Sequence, residues 1–460
     1  MKSDDLRRAI GEIDDELIEH ADKKSRSNAK RNLKKWGTIA AALLLVVAAV
    51  FPLAIRLANR NGVGKVTTVD LMEGIVPRAA SGKTLYLNDE CAAAADFSLR
   101  LFREAADGTD NALISPLSAL SGLAMLTNGA KGETLAQIET AVGMTVGEMN
   151  DFFFLFLSSL PREEKCRLTV ADSVWFKSDG SIAIEPDFLQ TNADYYAADA
   201  YGAPFDQSTL REINGWVERN TDGMIPNFLD AISPGAVAYL INAITFDAEW
   251  SQQFAPNWVQ TGDFTTGGGE TVRVSYMNEA NFYGTGSYYL SDERATGLFK
   301  YYSGGRYAFV ALLPNEGISL SAYLSALDGE SLRRLISERE QPAEFCVRIP
   351  KFDVAYETDL AAALGKMGVT DVFDPDRANL SGIGSLPYGD LYLDCVIHKT
   401  FLSLNERGGR AGAASGYGFY GATAETEPKE VYLTRPFVYM LIDCETNLPL
   451  FIGTMNDPTK

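Results

Sequence analysis

ERGGRAGAASGYGFYGATAETEPKEVYLTR, residues 406–435, is the stretch on which the reading of this chain turns. It is too rich in Gly and Ala to pack a core, yet it separates two apolar runs, 391–405 and 436–455, that read as buried strands. A long exposed loop inside a compact domain is uncommon, and is usually functional or disordered. Its flanks therefore have to explain it.

Outward from the loop, strand and helix patterns mix. Residues 111–125 read as a short strand turning into a helix, with Ser115 as N-cap and Pro116 at the first helical position. Residues 168–176 alternate as a strand through Val170, Val174 and Phe176, and 236–246 form a nearly continuous apolar run suited to a strand buried on both faces. Strand patterns recur at 272–277, 307–313 and 344–350; helical spacing appears around Asn214, Trp216 and Val217 and again at Leu360, Leu364 and Met367. Such a mixture, without regular βαβ alternation or a repeat, predicts one large α+β domain over residues 89–460.

Composition narrows the function. With 460 residues, 46% hydrophobic, the chain has material for a large core, and its net charge of −20 argues against a nucleic-acid partner, which needs clustered Lys and Arg. Cys91, Cys166, Cys346, Cys395 and Cys444 are widely spaced and contain no C-x-x-C pair, so neither a zinc site nor a disulfide framework is suggested. No metal or other cofactor is expected. His20 and His398 are the only histidines and no nucleophile motif accompanies them, so the chain is not expected to be an enzyme. Gly416–Gly421 matches G-x-G-x-x-G, but turn and strand patterns follow it where a dinucleotide site needs a helix.

The amino-terminal residues are organised differently. A polar tail, 1–35, ends in a run of Lys and Arg directly before the uncharged segment 36–55. That segment has about the ~20 residues a helix needs to cross a bilayer. The heavier basic flank precedes it, which predicts a cytoplasmic N-terminus, a single-pass anchor, an extracellular linker at 56–88 and an extracellular domain at 89–460. The competing reading is a cleaved signal peptide and a secreted domain; the long polar stretch before the segment favours the anchor.

Nine segments carry a resemblance. They are Ile114-Ser115-Pro116-Leu117-Ser118, Gly129-Ala130-Lys131-Gly132-Glu133-Thr134, Ile213-Asn214-Gly215-Trp216-Val217, and Asn242-Ala243-Ile244-Thr245-Phe246 with Trp250. Then come Leu312-Leu313-Pro314-Asn315, Ile349-Pro350-Lys351-Phe352, Phe373-Asp374-Pro375, Val396-Ile397-His398-Lys399 and Arg435-Pro436-Phe437. In this order and spacing the chain resembles the serpins from about residue 90 to 457. The resemblance implies three β-sheets surrounded by eight or nine helices, with an exposed reactive loop in the place of 406–435. It also implies suicide inhibition: a serine or cysteine protease attacks the loop, and the cut loop inserts into the central sheet with the protease covalently attached. It further implies a polar cluster of Ser115, Ser118, Asn242 and His398 beneath the sheet where strands part, with Trp250 near the point where the loop enters. Ala248 stands where the family carries glycine, and a monomer is expected.

A loop that becomes a buried strand needs period-two alternation. Gly409, Ala411, Ala413, Ser415, Tyr417 and Phe419 fall on one face; Arg410, Gly412, Ala414, Gly416 and Gly418 fall on the other. The hinge comprises Glu406, Gly408, Gly409, Ala411, Ala413, Ala414 and Ser415, and glycine at 409 and 412 raises the entropy lost on ordering. Counting from Glu406 puts the reactive bond at Ala422-Thr423, where a small residue suits an elastase-like enzyme. Counting back from Pro436 points near Glu425, and Phe419 or Tyr420 would suit a chymotrypsin-like enzyme. The alternative reading, favoured by the extra glycines, is a non-inhibitory member acting as a cell-surface binding or scaffold protein.

Overall fold

A computed structural model describes residues 68–78, 88–106, 108–161, 165–282, 287–408 and 428–460. The chain divides into residues 1–67 and 68–460, and every described residue lies in the second unit. The anchor segment 36–55 lies outside the described residues, among which no helix is long and apolar enough to cross a membrane.

The expected α+β architecture is observed, with nine α-helices among the described residues. Helix Pro116–Thr127 begins as the sequence dictates: Ser115 is extended, its hydroxyl accepts from Ser118 N–H, and Pro116 opens the first turn. All but one of its residues are buried, so it is apolar on every side and forms an internal spine. Against it pack strand Ala238–Ala248 and strand Leu448–Met455. A six-stranded antiparallel sheet, in the order 112–114, 448–455, 437–443, 307–314, 295–301 and 287–291, supplies most of the core. In its strands Tyr307–Pro314, Phe437–Asp443 and Leu448–Met455 every residue is buried.

The expected central sheet is present as two separate ladders. One runs in the order 69–70, 199–203, 166–177 and 238–248; its last two strands pair antiparallel, with Asp172 opposite Asn242. The other joins Phe352–Asp359 to Ile397–Leu404, with Thr358 opposite His398. Helix Gln207–Asn220 covers the first ladder through a second apolar core built on Trp175, Ile213, Trp216, Val217, Ile241 and Ala243.

Two sequence expectations shift. The run 391–405 becomes a strand only from Ile397, because backbone donors before it are taken elsewhere: Leu393 N–H goes to the Val372 carbonyl and Val396 N–H to the Asp359 carboxylate. The run 436–455 is two strands, since the chain turns between Asp443 and Leu448.

A gap in the central sheet as candidate functional site

Strands Ala238–Ala248 and Ile397–Leu404 face each other as the inner edges of the two ladders, and among the described residues no ladder joins them. Unpaired strand edges present rows of N–H and C=O groups that template another strand. A further strand inserted here would satisfy both edges. The eleven residues of the first edge span about 36 Å at ~3.3 Å per residue.

Past the strand ends the two sides are bonded to each other, in what we call the latch. Glu249 and Gly408 form an isolated antiparallel bridge. Trp250 N–H donates to the Arg407 carbonyl and Phe254 N–H to the Glu406 carbonyl, both at 2.9 Å, and the Trp250 indole donates to the Asn405 carbonyl at 2.8 Å. Trp250 stacks on Tyr302 with centroids 4.4 Å apart. Gly408 has φ +121°, and a Cβ there would stand 2.1 Å from the Ala248 carbonyl oxygen, so only glycine allows this approach. Glu406 is paired with Lys351 at 2.6 Å, and the Lys351 ammonium holds its carboxyl below the usual range. These bonds involve the last described residues before 409–427.

Further from the loop, each edge is fastened to the spine or to the strand 112–114 and cap that lead into it. From one edge, His398 accepts from Ser115 N–H at 3.0 Å, and Thr400 donates to the Leu113 carbonyl at 2.7 Å. From the other, Ser118 donates to Asn242 Oδ1, and Asn242 Nδ2 donates to Asp172, which also accepts from Ser121. Burial pushes the His398 imidazole down to about 4, so it is neutral at pH 7 and can accept that bond. Burial raises the Asp172 carboxyl to about 6, against the hydrogen bonds from Asn242 and Ser121.

The structure thus brings Ser115, Ser118, Asn242 and His398 into one buried region, and places Trp250, Glu406 and Gly408 together at the latch. Hinge residues Gly409, Ala411, Ala413, Ala414 and Ser415, and the bond candidates Phe419, Tyr420, Ala422, Thr423 and Glu425, lie outside the described residues. Sequence reading missed Asp172, Lys351 and the buried pair Lys300–Glu279. Asp172 did leave a signal, since it shares strand parity with Val170, Val174 and Phe176 and so had to point inward.

A family model described as Serpin (serine protease inhibitor) matches residues 92–458. This chain is a serpin. It is 28% identical to alpha-1-antiproteinase of Rattus norvegicus over 376 residues, covering 80% of this chain and 88% of the rat protein. It is also similar to the crystal structure of the thermophilic serpin tengpin in its native state, with TM-score 0.80 and 40% identity, covering 85% of this chain and 100% of that one. Against tengpin in its latent state the TM-score is 0.71 with 37% identity, covering 83% of this serpin and 100% of that chain. Serpins are generally protease inhibitors rather than catalysts, and the open gap suits that role.

Proposed function

We propose that this serpin is a suicide inhibitor of serine proteases, cleaved at Ala422-Thr423 by an elastase-like enzyme, which it traps as an acyl-enzyme when the cut loop enters the central sheet. The observation that carries this reading is the gap itself: two strand edges that no ladder joins, bridged past their ends by a latch whose residues lead directly into 409–427. The unpaired edges support an inserted strand, and the greater likeness to native than to latent tengpin supports a loop-out starting state. The loop-out form is then held by barriers rather than by lowest free energy.

The test is incubation with pancreatic elastase and with chymotrypsin, followed by denaturing electrophoresis and sequencing of the released carboxy-terminal peptide. An SDS-resistant complex and a new terminus at Thr423 are expected with elastase. A terminus after Phe419 or Tyr420 moves the reactive bond; cleavage without complex for every protease tried overturns the inhibitor reading in favour of a binding or scaffold role. We place the domain outside the cell on a single-pass anchor at 36–55, as a monomer; recovery of the full-length protein in the soluble rather than the membrane fraction overturns that placement.

A further inference from the structure

Behind the latch lies a buried charge. Lys300, in strand Ala295–Tyr301, is fully buried, with its Nζ 2.7 Å from Glu279 Oε2 and 3.3 Å from Ser287 Oγ. The same ammonium stands 4.7 Å from the centroid of the Phe254 ring and 5.9 Å from that of Trp250. Those rings belong to the segment whose N–H groups hold the carbonyls of residues 405–407. A well-packed apolar residue often serves a core as well as a buried ion pair does, because desolvation offsets the Coulombic gain. What an apolar side chain cannot supply is attraction to the face of a ring, which a desolvated cation exerts through the ring quadrupole.

We propose that Lys300 is a positioning residue of the latch. Held by Glu279, it fixes Phe254 and Trp250 so that the N–H groups of 250–254 stay aimed at residues 405–407, and thereby it sets the lifetime of the loop-out state. The inference rests on the loop-insertion reading above.

The experiment uses the full chain without protease, incubated below its unfolding temperature, and scores conversion to the inserted form by survival of a stronger heat challenge. Lys300→Met combined with Glu279→Gln leaves no orphaned charge, and is expected to shorten the conversion half-life by about tenfold, the size of a desolvated cation–ring contact. Phe254→Leu is expected to shorten it too, and on that background the Lys300/Glu279 exchange should add far less, since the ring it acts on is gone. An unchanged half-life, or an equal effect with and without Phe254, overturns the proposal and leaves Lys300 a plain structural ion. Should the double exchange not fold, Phe254→Leu decides alone: it keeps the ion pair, and an unaltered half-life overturns the proposal. A parent chain that yields no heat-resistant form even after its loop is cut sinks the insertion reading, and this inference with it.

Discussion

At the loop end of the gap, residues 249–254 reach straight across to 405–408 with a few backbone bonds and the Trp250 indole bond, while Glu406 is held from its own ladder by the partly exposed Lys351. Further down, no ladder joins the two edges; each is tied separately to the helix Pro116–Thr127 or its cap, through side chains that are buried or half-buried. The difference assigns different tasks. On the loop-insertion reading proposed above, latch bonds can open one at a time and be replaced by water, so they decide when the loop starts to enter. A buried network is stabilising only while every member is satisfied, so on the same reading it resists in one step and decides whether entry continues.

The largest expected effect comes from breaking that network. Asn242→Ala removes the donor to Asp172 and the acceptor of Ser118 together, leaving a buried carboxyl with Ser121 as its remaining side-chain partner. Under-satisfying a buried charge costs about 3 kcal/mol. Native gels and thermal melts should show premature insertion or polymerisation, with His398→Ala acting in the same direction. Ordinary stability and inhibition in both variants would remove the network from the opening mechanism.

A comparable effect is hidden in the parent protein because two groups oppose each other. Asp172 titrates near 6 in the folded chain against an ordinary value of 3.8, so the native state binds its proton more tightly and loses stability as pH rises from 4 to 6. His398 titrates near 4 against 6.5; there the unfolded state binds the proton more tightly, and stability grows as pH rises from 4 to 6.5. At 1.36 kcal/mol per unit each is of order 3 kcal/mol, with opposite slopes. Asp172→Asn should therefore be more stable than the parent at pH 7 and become steeply less stable on acidification, while His398→Gln should gain stability on acidification. Parallel stability-versus-pH curves for all three proteins would show that neither group is buried as described.

How much of this could be read beforehand follows from chain distance. The Ser115 cap and Pro116 start are local chemistry, and the strand patterns at 168–176 and 307–313 need only their own residues. Membership of Ser115, Ser118, Asn242 and His398 in one region came through resemblance, because their contacts span long stretches of chain. Lys351–Glu406 and Lys300–Glu279 had no such help: one sequence does not say which acid faces which base. The split of the central sheet was out of reach for the same reason, since strand order is set by tertiary packing. Gly408 was named as hinge, but the carbonyl that forbids a side chain there belongs to Ala248, far upstream.

The smallest expected effect tests the latch, and it is the one that separates the two regions by their physics. Glu406 and Lys351 keep about a quarter and a third of their side-chain surface exposed, so the pair is screened and worth at most ~1 kcal/mol. Its acid is depressed, so the contribution is whole above the ordinary glutamate range and is lost as pH falls through the folded value. Glu406→Gln keeps the shape and should shorten the loop-out lifetime by no more than about fivefold. Salt should do the same to the parent protein, because partly exposed pairs are screened over about 10 Å at 0.1 M. The Gln variant should then respond less to salt than the parent, whereas Asn242→Ala, which removes no charge and whose partners Ser118 and Asp172 are buried, should keep the parent's full response. If salt shortens the lifetime equally in the parent and Glu406→Gln, the ion pair is not part of the latch, and the backbone bonds of Trp250 and Phe254 close the gap without it.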